Sequence, residues 1–380
     1  MSKRRPSGDG MVRKRDDGRW EGRIVVGHKD DGKPIFRSVF GKSQKELLEK
    51  LHQQKTVYQD VELTEGCAMT LGDWLDKWLD DYMNGTVRPS TLQGYRNYAE
   101  NYIKPHLGEK TISLITTTDV QRMYTKLKKS GRIVEHEKSG KSLSDSTVRS
   151  VHSMLHLSME MAKHEGFIAH NPTLGTVVPK PNPPAKQILN QKQLNLFLSV
   201  IEGDCQWHDF FYTAITTGLR RGELCGLQWE DLDLELGTLK ISRTVHDDMT
   251  IGDTKTGEST RKIFLPPSAM EVLAERKETV KSEWIFPNLL NPTQPTRPST
   301  AYRQLNFILE KANLPSIRFH DLRHTFATHA LTNGVDAKTL SHILGHTKAS
   351  FTLDTYTHVT GDMQQRAAQI VGGFLEGVMV

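Results

Sequence analysis

Alternating hydrophobic and polar residues predict a small antiparallel sheet near the start of the chain. The predicted strands cover residues 12–15, 19–26 and 35–40, with turn-forming residues between them. In the second strand, alternation places Trp20, Ile24 and Val26 on one face. Arg19 and Arg23 lie on the opposite face, which no predicted element covers. Such an arginine face suits the major groove of DNA, which admits a sheet or ribbon.

A helix is predicted directly after this sheet. Ser43 is suited to the N-cap position because Glu46 follows three residues later, as in a capping box. Leu47, Leu48 and Leu51 are the predicted apolar stripe that packs on the sheet.

Helical periodicity dominates residues 70–178. The clearest stripe has apolar residues at alternating spacings of three and four: Leu71, Trp74, Leu75, Trp78 and Leu79. Further periodic stretches cover residues 90–103, 117–128 and 144–164, and a polar loop at 130–142 separates the last two. Four helices in this length predict a small bundle whose Trp and Leu residues form a core.

Four prolines within residues 179–184 mark a break, because such a segment forms neither a helix nor an interior strand. Beyond it, helices at 191–201 and 209–217, strands at 238–244 and 261–265, and later helices predict a mixed α+β domain. The chain is therefore predicted to be a multidomain α+β protein. Its expected parts are a basic DNA-binding domain (1–65), a helical bundle (66–178), a proline-rich linker (179–187) and a mixed α+β domain with a C-terminal tail (188–380).

Charge is concentrated at the start of the chain. The 380 residues have a formal net charge of +5. Residues 1–45 contain 13 Lys and Arg and six acidic residues, a net +7 that leaves −2 for the rest. A basic segment on a near-neutral body indicates a polyanionic partner such as nucleic acid, although a solvated basic terminus gives the same composition. The expected DNA contacts are Arg13, Lys14, Arg15, Arg19, Arg23 and Arg37.

Composition excludes several classes. Hydrophobic residues make up 36% and charged residues 25%, which does not fit a disordered chain. No apolar run reaches about 18 residues, the length that a membrane-spanning helix needs. The three cysteines lie far apart, so neither a disulfide framework nor a cysteine zinc knuckle is expected. We therefore expect a soluble protein of a reducing compartment.

The last predicted domain contains four motifs with reactive side chains. In the first, Gly218 permits a sharp turn, Arg220 opens a helix, and Glu223 can hold its guanidinium group. The second, at 254–257, presents Lys255 at a turn between strands. The third places His320 and Arg323 on one helical face, and the fourth is Leu344, Gly345 and His346 followed ten residues later by Tyr356.

These residue types suit a phosphodiester. Paired arginines bind the non-bridging oxygens, a tyrosine can attack phosphorus, and a lysine or histidine can protonate the leaving alkoxide. Two positions are ambiguous from the residues alone: Arg221 adjoins Arg220, and Lys262 is an alternative to Lys255. His320 and His324 have the spacing of metal ligands, but Arg323 lies beside them and would repel a cation, so no metal site is expected.

The four motifs, in this order, resemble the tyrosine recombinase (phage integrase) family, including integrases of phages and conjugative transposons. The family's Thr-Gly-x-Arg pattern selects Arg220. The resemblance implies that Arg220 and Arg323 grip the scissile phosphate, Lys255 is the general acid, and His320 acts in acid–base chemistry. It further implies that His346 donates to a non-bridging oxygen and that Tyr356 forms a 3′-phosphotyrosyl bond, with no metal or other cofactor. The His346-to-Tyr356 spacing is ten, whereas many relatives have nine.

The expected function is therefore site-specific recombination that integrates or excises a mobile element in a bacterial cytoplasm. Its expected partners are double-stranded DNA, at core crossover sites and at arm sites, and three further copies of the chain in a tetramer. The involvement of an accessory directionality factor is left open. A type IB topoisomerase and a non-catalytic DNA-binding regulator are the alternatives. The apolar C-terminal tail, residues 372–380, packs either on its own domain or on a neighbouring protomer.

Overall fold

The computed structural model describes residues 11–58, 62–135, 140–181, 187–204, 206–253 and 260–345. The chain divides into two compact units, residues 1–183 and 184–380. The division falls inside the proline-rich segment in which the sequence predicts a linker. Within the described residues, no helix is long and apolar enough to cross a membrane.

The first unit begins with a three-stranded antiparallel sheet in the order β1-β2-β3: β1 (Met11–Lys14), β2 (Trp20–His28) and β3 (Pro34–Gly41). Helix α1 (Gln44–Tyr58) packs on one face of this sheet. Ile24 and Val26 of β2 are buried beneath it, and Trp20 is partly buried, as the alternation predicts. The fold of this segment is confirmed.

Helix α1 begins as expected but buries a narrower stripe. The Ser43 hydroxyl accepts a hydrogen bond from the backbone N–H of Glu46 at 3.2 Å. Leu47 and Leu51 are buried, whereas Leu48 is 42% exposed. The prediction for Leu48 is wrong, because the sheet is only three strands wide and covers one narrow side of the helix.

The bundle of the first unit consists of α2 (Leu71–Lys77), α3 (Pro89–Tyr98), α4 (Lys104–Leu107), α5 (Thr117–Ser130) and α6 (Asp145–His164). Helix α2 continues through a π-helical segment at Trp78–Met83, and another at Ala99–Ile103 joins α3 to α4. Trp74 and Trp78 are fully buried in its core, and the Trp74 indole donates to the Ser158 hydroxyl at 2.9 Å. These large side chains are structural, as predicted.

The second unit is mixed α+β. Its helices are α7 (Gln191–Ile201), α8 (Trp207–Thr217), α9 (Arg221–Cys225), α10 (Pro267–Thr279), α11 (Pro298–Lys311), α12 (Phe319–Thr332) and α13 (Ala337–Leu344). Its strands are β4 (Leu232–Asp233), β5 (Thr238–Ile241), β6 (Arg243–Val245), β7 (Ile251–Asp253) and β8 (Arg261–Phe264). They form an antiparallel sheet β4-β5-β8 and a hairpin β6-β7.

One apolar core joins α7, α8 and α11 to the β4-β5-β8 sheet, and a smaller one joins α12 to α13. The junction between α8 and α9 requires glycine. Gly218 has φ +63°, and a Cβ atom there would lie 2.3 Å from the Phe326 ring and 3.0 Å from Leu344. This close approach brings the start of α9 next to α12 and α13, where the candidate site forms.

Candidate active site

Arg220 lies at the N-terminus of α9, as the first motif predicts. Its Nη1 donates to Glu223 Oε1 at 2.6 Å, and its backbone N–H donates to Glu223 Oε2 at 3.0 Å. The Arg220 side chain is 38% exposed, so it can still meet a ligand from solvent. Its Nη2 donates to the carbonyl of Gly345 at 3.0 Å, which brings the first and fourth motifs together.

Arg323 lies in the first turns of α12 and is almost completely buried. Its Nη1 donates to the Gly218 carbonyl at 3.0 Å, and its Nη2 donates to the Leu344 carbonyl at 2.6 Å. Arg220 and Arg323 therefore bind consecutive carbonyls immediately before residue 346. The negative end of the α13 dipole favours two cations at this place.

Glu223 is the acidic centre of the cluster and is 3% exposed. Besides Arg220 it binds Arg261, whose Nη2 donates to Oε2 at 2.9 Å and whose Nη1 donates to Oε1 at 3.2 Å. Burial by itself would raise the pKa of Glu223, but the hydrogen bonds and charge of Arg261, with the charge of Arg220, lower it to about 2. The carboxylate is thus ionised at any physiological pH.

Arg261 does not appear among the candidates that the sequence motifs provide. A signal for it exists in β8, where Arg261 is buried on the same side as Ile263 and Lys262 is exposed on the other side. An arginine at an inward position of an apolar strand needs a buried partner. The same alternation turns Lys262 away from Arg261, on the face where it pairs across the sheet with Lys240.

His320 lies one turn before Arg323 on α12 and is exposed to solvent along one side. Protein atoms that crowd its other side, together with the charges of Arg323 and Arg220, lower its pKa to about 4. The imidazole is therefore neutral near pH 7 and can accept a proton. Its ring meets that of His324 edge-to-face, with centroids 4.7 Å apart.

The carboxylate between His320 and His324 is bound by an arginine. Asp321, between the two histidines, binds the Arg318 guanidinium at 2.8 and 3.1 Å, and its carboxylate is therefore occupied. Among the described ranges, no group of three or more His, Cys, Asp and Glu side chains could hold an ion.

Three predicted site residues, Lys255, His346 and Tyr356, lie outside the described residues, as does the C-terminal tail. Their roles stay predictions. Arg221, the ambiguous neighbour of Arg220, turns away to Asp247, with Nη2 2.9 Å from the carboxylate. Its position agrees with the choice of Arg220.

Three arginines of the expected DNA-binding face surround Glu21 of β2. Its buried carboxylate accepts hydrogen bonds from Arg13 at 2.8 Å, Arg23 at 3.0 Å and Arg15 at 3.4 Å. The Arg13 guanidinium lowers the pKa of Glu21, which stays charged. One carboxylate therefore orients three arginines and leaves a net positive surface.

The remaining expected contacts are more dispersed. Lys14 is exposed on β1, and Arg19 is exposed and binds Asp17 at 2.7 Å. Arg37 differs from the expectation: it lies on the core side of β3, against the Tyr58 hydroxyl, and donates to the Ser113 carbonyl at 3.0 Å. Alternation along β3 explains this, because Arg37 shares a face with the inward residues Ile35 and Val39.

A mixed α+β unit in which two arginines meet beside the end of α13, preceded by a helical bundle, is the arrangement expected of a DNA strand transferase. Residues 187–362 match the phage integrase family, and residues 70–128 match the N-terminal SAM-like domain of phage integrases. The chain belongs to the phage integrase family and is a tyrosine recombinase, an enzyme of site-specific recombination.

Similar proteins and solved structures support membership of this family. The chain is 28% identical to a tyrosine recombinase XerC-like protein of Caldanaerobacter subterraneus subsp. tengcongensis, over 91% of this chain and 94% of the relative. Its fold is similar to that of the Tn1549 transposon integrase bound to a circular intermediate DNA, with a TM-score of 0.67, 24% identity and coverage of 80% and 99%. A lambda integrase tetramer bound to a Holliday junction gives a TM-score of 0.60, 20% identity and coverage of 91% and 97%.

Proposed function

We propose that the protein integrates and excises a mobile element by cutting and rejoining double-stranded DNA in a bacterial cytoplasm, with Tyr356 as nucleophile. The observation that carries the proposal is the convergence of Arg220 and Arg323 on the carbonyls of residues 345 and 344. Two guanidinium groups held together next to residue 346 form a site for the non-bridging oxygens of one phosphodiester.

In the proposed reaction, the Tyr356 oxygen attacks the scissile phosphorus and the bond from phosphorus to the 5′-oxygen breaks. The products are a 3′-phosphotyrosyl bond and a free 5′-hydroxyl. Arg220 and Arg323 stabilise the charge that develops on the phosphoryl oxygens, and His346 donates to one of them. The 5′-hydroxyl of a partner strand then attacks the phosphotyrosyl bond and releases the tyrosine.

Two residues are proposed to move protons. Lys255 gives a proton to the departing 5′-oxygen. His320 accepts the proton of the Tyr356 hydroxyl, since its imidazole is neutral near pH 7 and is exposed to solvent. The reaction needs no cofactor, since the covalent bond keeps the free energy of the phosphodiester for religation.

The domain boundaries at 65, 178 and 187 are part of this proposal. The first domain would hold arm sites through Arg13, Lys14, Arg15, Arg19 and Arg23, and the bundle and catalytic domain would hold the core site. Binding at two sites raises the local concentration of one at the other. Four copies would act together, as the lambda integrase tetramer on a Holliday junction suggests by similarity of fold. The tail at 372–380 would dock on the neighbouring protomer.

A nicked core-site duplex that loses its 5′-hydroxyl fragment after cleavage tests the function. We expect a covalent protein–DNA product, formed equally in excess EDTA, and strand exchange between two duplexes. A protein that binds the duplex without a covalent product would be a regulator instead. Relaxation of supercoils without strand exchange would indicate a topoisomerase, and a loss of product in EDTA that magnesium restores would indicate a metal mechanism.

A further inference from the structure

The last carbonyls of α13 are bound by three arginines from three different elements. Arg261 Nε of β8 donates to Ile343 O at 2.7 Å, Arg323 Nη2 of α12 to Leu344 O at 2.6 Å, and Arg220 Nη2 to Gly345 O at 3.0 Å. A helix leaves its last carbonyls without intrahelical partners, and here arginines supply the donors. We call Arg220, Arg261, Arg323, Glu223 and these three carbonyls the α13 carbonyl cluster.

Arg261 joins two parts of the cluster, as Arg220 does, but its side chain is buried whereas that of Arg220 is partly exposed. One edge of its guanidinium group holds the Glu223 carboxylate, and its Nε holds the Ile343 carbonyl. Glu223 in turn holds both the side chain and the backbone N–H of Arg220. A continuous path of hydrogen bonds therefore runs from α13 through Arg261 and Glu223 to Arg220.

This path is closed to solvent in its middle. The Arg261 side chain is 2% exposed and that of Glu223 is 3% exposed, so water cannot replace either partner. The end of α13 also approaches closely, because Gly345 has φ +65° and a Cβ atom there would lie 2.8 Å from Arg261 Nη1. The Arg220 side chain, by contrast, is 38% exposed.

We propose that Arg261 is a positioning residue for phosphoryl transfer: it fixes Glu223 and the end of α13 together and so sets the place of Arg220 relative to residue 346. This inference rests on the proposed function. Arg261 touches neither DNA nor the reacting atoms in this assignment. Its effect is geometric, and small displacements of a catalytic group cost much rate.

A lysine cannot replace Arg261 in these hydrogen bonds. The path needs an Nε–H and two Nη donors in one plane, whereas lysine offers a single ammonium on a flexible stem. We therefore expect R261K to keep the positive charge but to lose the hydrogen bonds that hold Glu223 and the Ile343 carbonyl at a fixed distance. R261M has nearly the same stem and removes both charge and donors.

The carboxylate provides a second readout. Arg261 is the main group that keeps the pKa of Glu223 low against the effect of burial. Without Arg261, only Arg220 opposes the effect of burial, so the pKa of Glu223 should rise and the protonated carboxyl group should release Arg220. Cleavage by R261M should therefore decline more than that of the wild type as the pH is lowered.

The matched control is Arg276 of the same unit. Like Arg261 it is buried, its Nε donates to a backbone carbonyl (Ile285, 2.7 Å), and its Nη1 donates to a carboxylate (Asp209, 2.9 Å). Asp209 belongs to α8 and Ile285 to the segment after α10, and neither is part of the α13 carbonyl cluster. R276M thus measures how far the cleavage rate falls when a buried arginine outside this hydrogen-bond path is lost.

The experiment compares full-length wild type, R261K, R261M, R276M and R261M/E223Q on the nicked core-site duplex, in single turnover at saturating protein. Each rate is corrected for the folded fraction and measured over a range of pH. We expect R261M and R261K to lose about 10²-fold in cleavage rate while R276M loses little. Binding of the duplex should change little in all of them, and the extra decline at low pH should appear in R261M and vanish in R261M/E223Q.

The proposal would be overturned if R261M, or R261K should R261M fail to fold, cleaved as fast per folded molecule as R276M. It would equally be overturned if the ratio of R261M to wild type did not change with pH. Absence of a covalent product from the wild type itself would contradict the proposed function, and that outcome is distinct from a failure of the variants alone.

Discussion

Arg220 and Arg221 are adjacent in sequence and have different surroundings. Arg220 binds Glu223 and the Gly345 carbonyl, whereas Arg221 turns to Asp247. Removing one charged donor to a developing transition state costs about 10²–10³-fold in rate. We therefore expect R220Q to lose at least that factor in single-turnover cleavage and R221Q to lose less than tenfold.

The pair R220Q and R221Q controls for charge, because both variants change the net charge equally. If R221Q abolished cleavage and R220Q did not, the first motif would be assigned to the wrong arginine. The α13 carbonyl cluster would then not contain the catalytic arginine of this motif.

His320 supports a prediction on pH. Its pKa is about 4 because of partial enclosure and the charges of Arg323 and Arg220. The folded protein therefore binds this proton less tightly than the unfolded chain, and the stability due to His320 is complete above about pH 6.5 and lost as the pH falls toward 4. R220Q removes one of the charges and should raise the pKa.

NMR titration of the imidazole in the full chain, assigned with H320Q, measures both values. A midpoint near 6.5 in the wild type, or no upward shift in R220Q, would contradict the arrangement of charges around α12.

At the residue scale, the sequence allows the prediction of motifs but only part of their geometry. Arg220 with Glu223 could be foreseen, because both lie within one helical turn. Arg261 could not be placed by motif, since its partners Glu223 and Ile343 come from distant parts of the chain. The prediction that Arg37 contacts DNA rests on its basic segment alone, whereas alternation along β3 turns the side chain inward.

At the scale of elements, α1 offers a matched pair of leucines. Leu47 is fully buried against the sheet, and its neighbour Leu48 is 42% exposed. Truncation of a buried leucine costs about 2–5 kcal/mol, through lost burial and the cavity that remains. We expect L47A to destabilise the N-terminal sheet by about that amount and L48A by well under 1 kcal/mol.

Hydrogen exchange of the β2 amides reports the stability of this element in the full chain. Equal loss of protection in L47A and L48A would mean that α1 does not pack on the sheet through the face described.

Helices and strands were predictable where their period was strong. Helix α7 has the predicted bounds, and β5 and β8 lie where the sequence indicates. The α2 helix was predictable from its Trp and Leu stripe, but its π-helical continuation at Trp78–Met83 was not. A one-residue widening of a turn leaves the hydrophobic pattern almost unchanged.

At the scale of the whole molecule, the N-terminal sheet is packed on the bundle of the same unit. Arg37 donates to Ser113 across this contact, and Leu63 pairs with Gly27 beside it. Deletion of residues 1–65 would therefore expose part of the bundle. Substitution of exposed arginines is a cleaner test of the proposed arm-site contacts.

We expect R15Q/R19Q/R23Q to weaken binding to arm-site DNA and to reduce its salt dependence, the logarithmic slope falling by up to about 3 for three lost phosphate contacts. Cleavage of a short core-site duplex should persist. Titrations at several salt concentrations measure the slope. Equal losses on core and arm DNA would show that this face is not a separate arm-site reader.

The central claim is that Tyr356 becomes covalently joined to DNA at a phosphate held by Arg220 and Arg323. The most direct measurement traps the protein on a nicked core-site duplex in EDTA, digests the adduct and identifies the modified peptide by mass spectrometry. We predict a nucleotide on Tyr356 in the wild type, and no adduct with undiminished DNA binding in Y356F. An adduct on another residue, or one that survives in Y356F, would contradict the account.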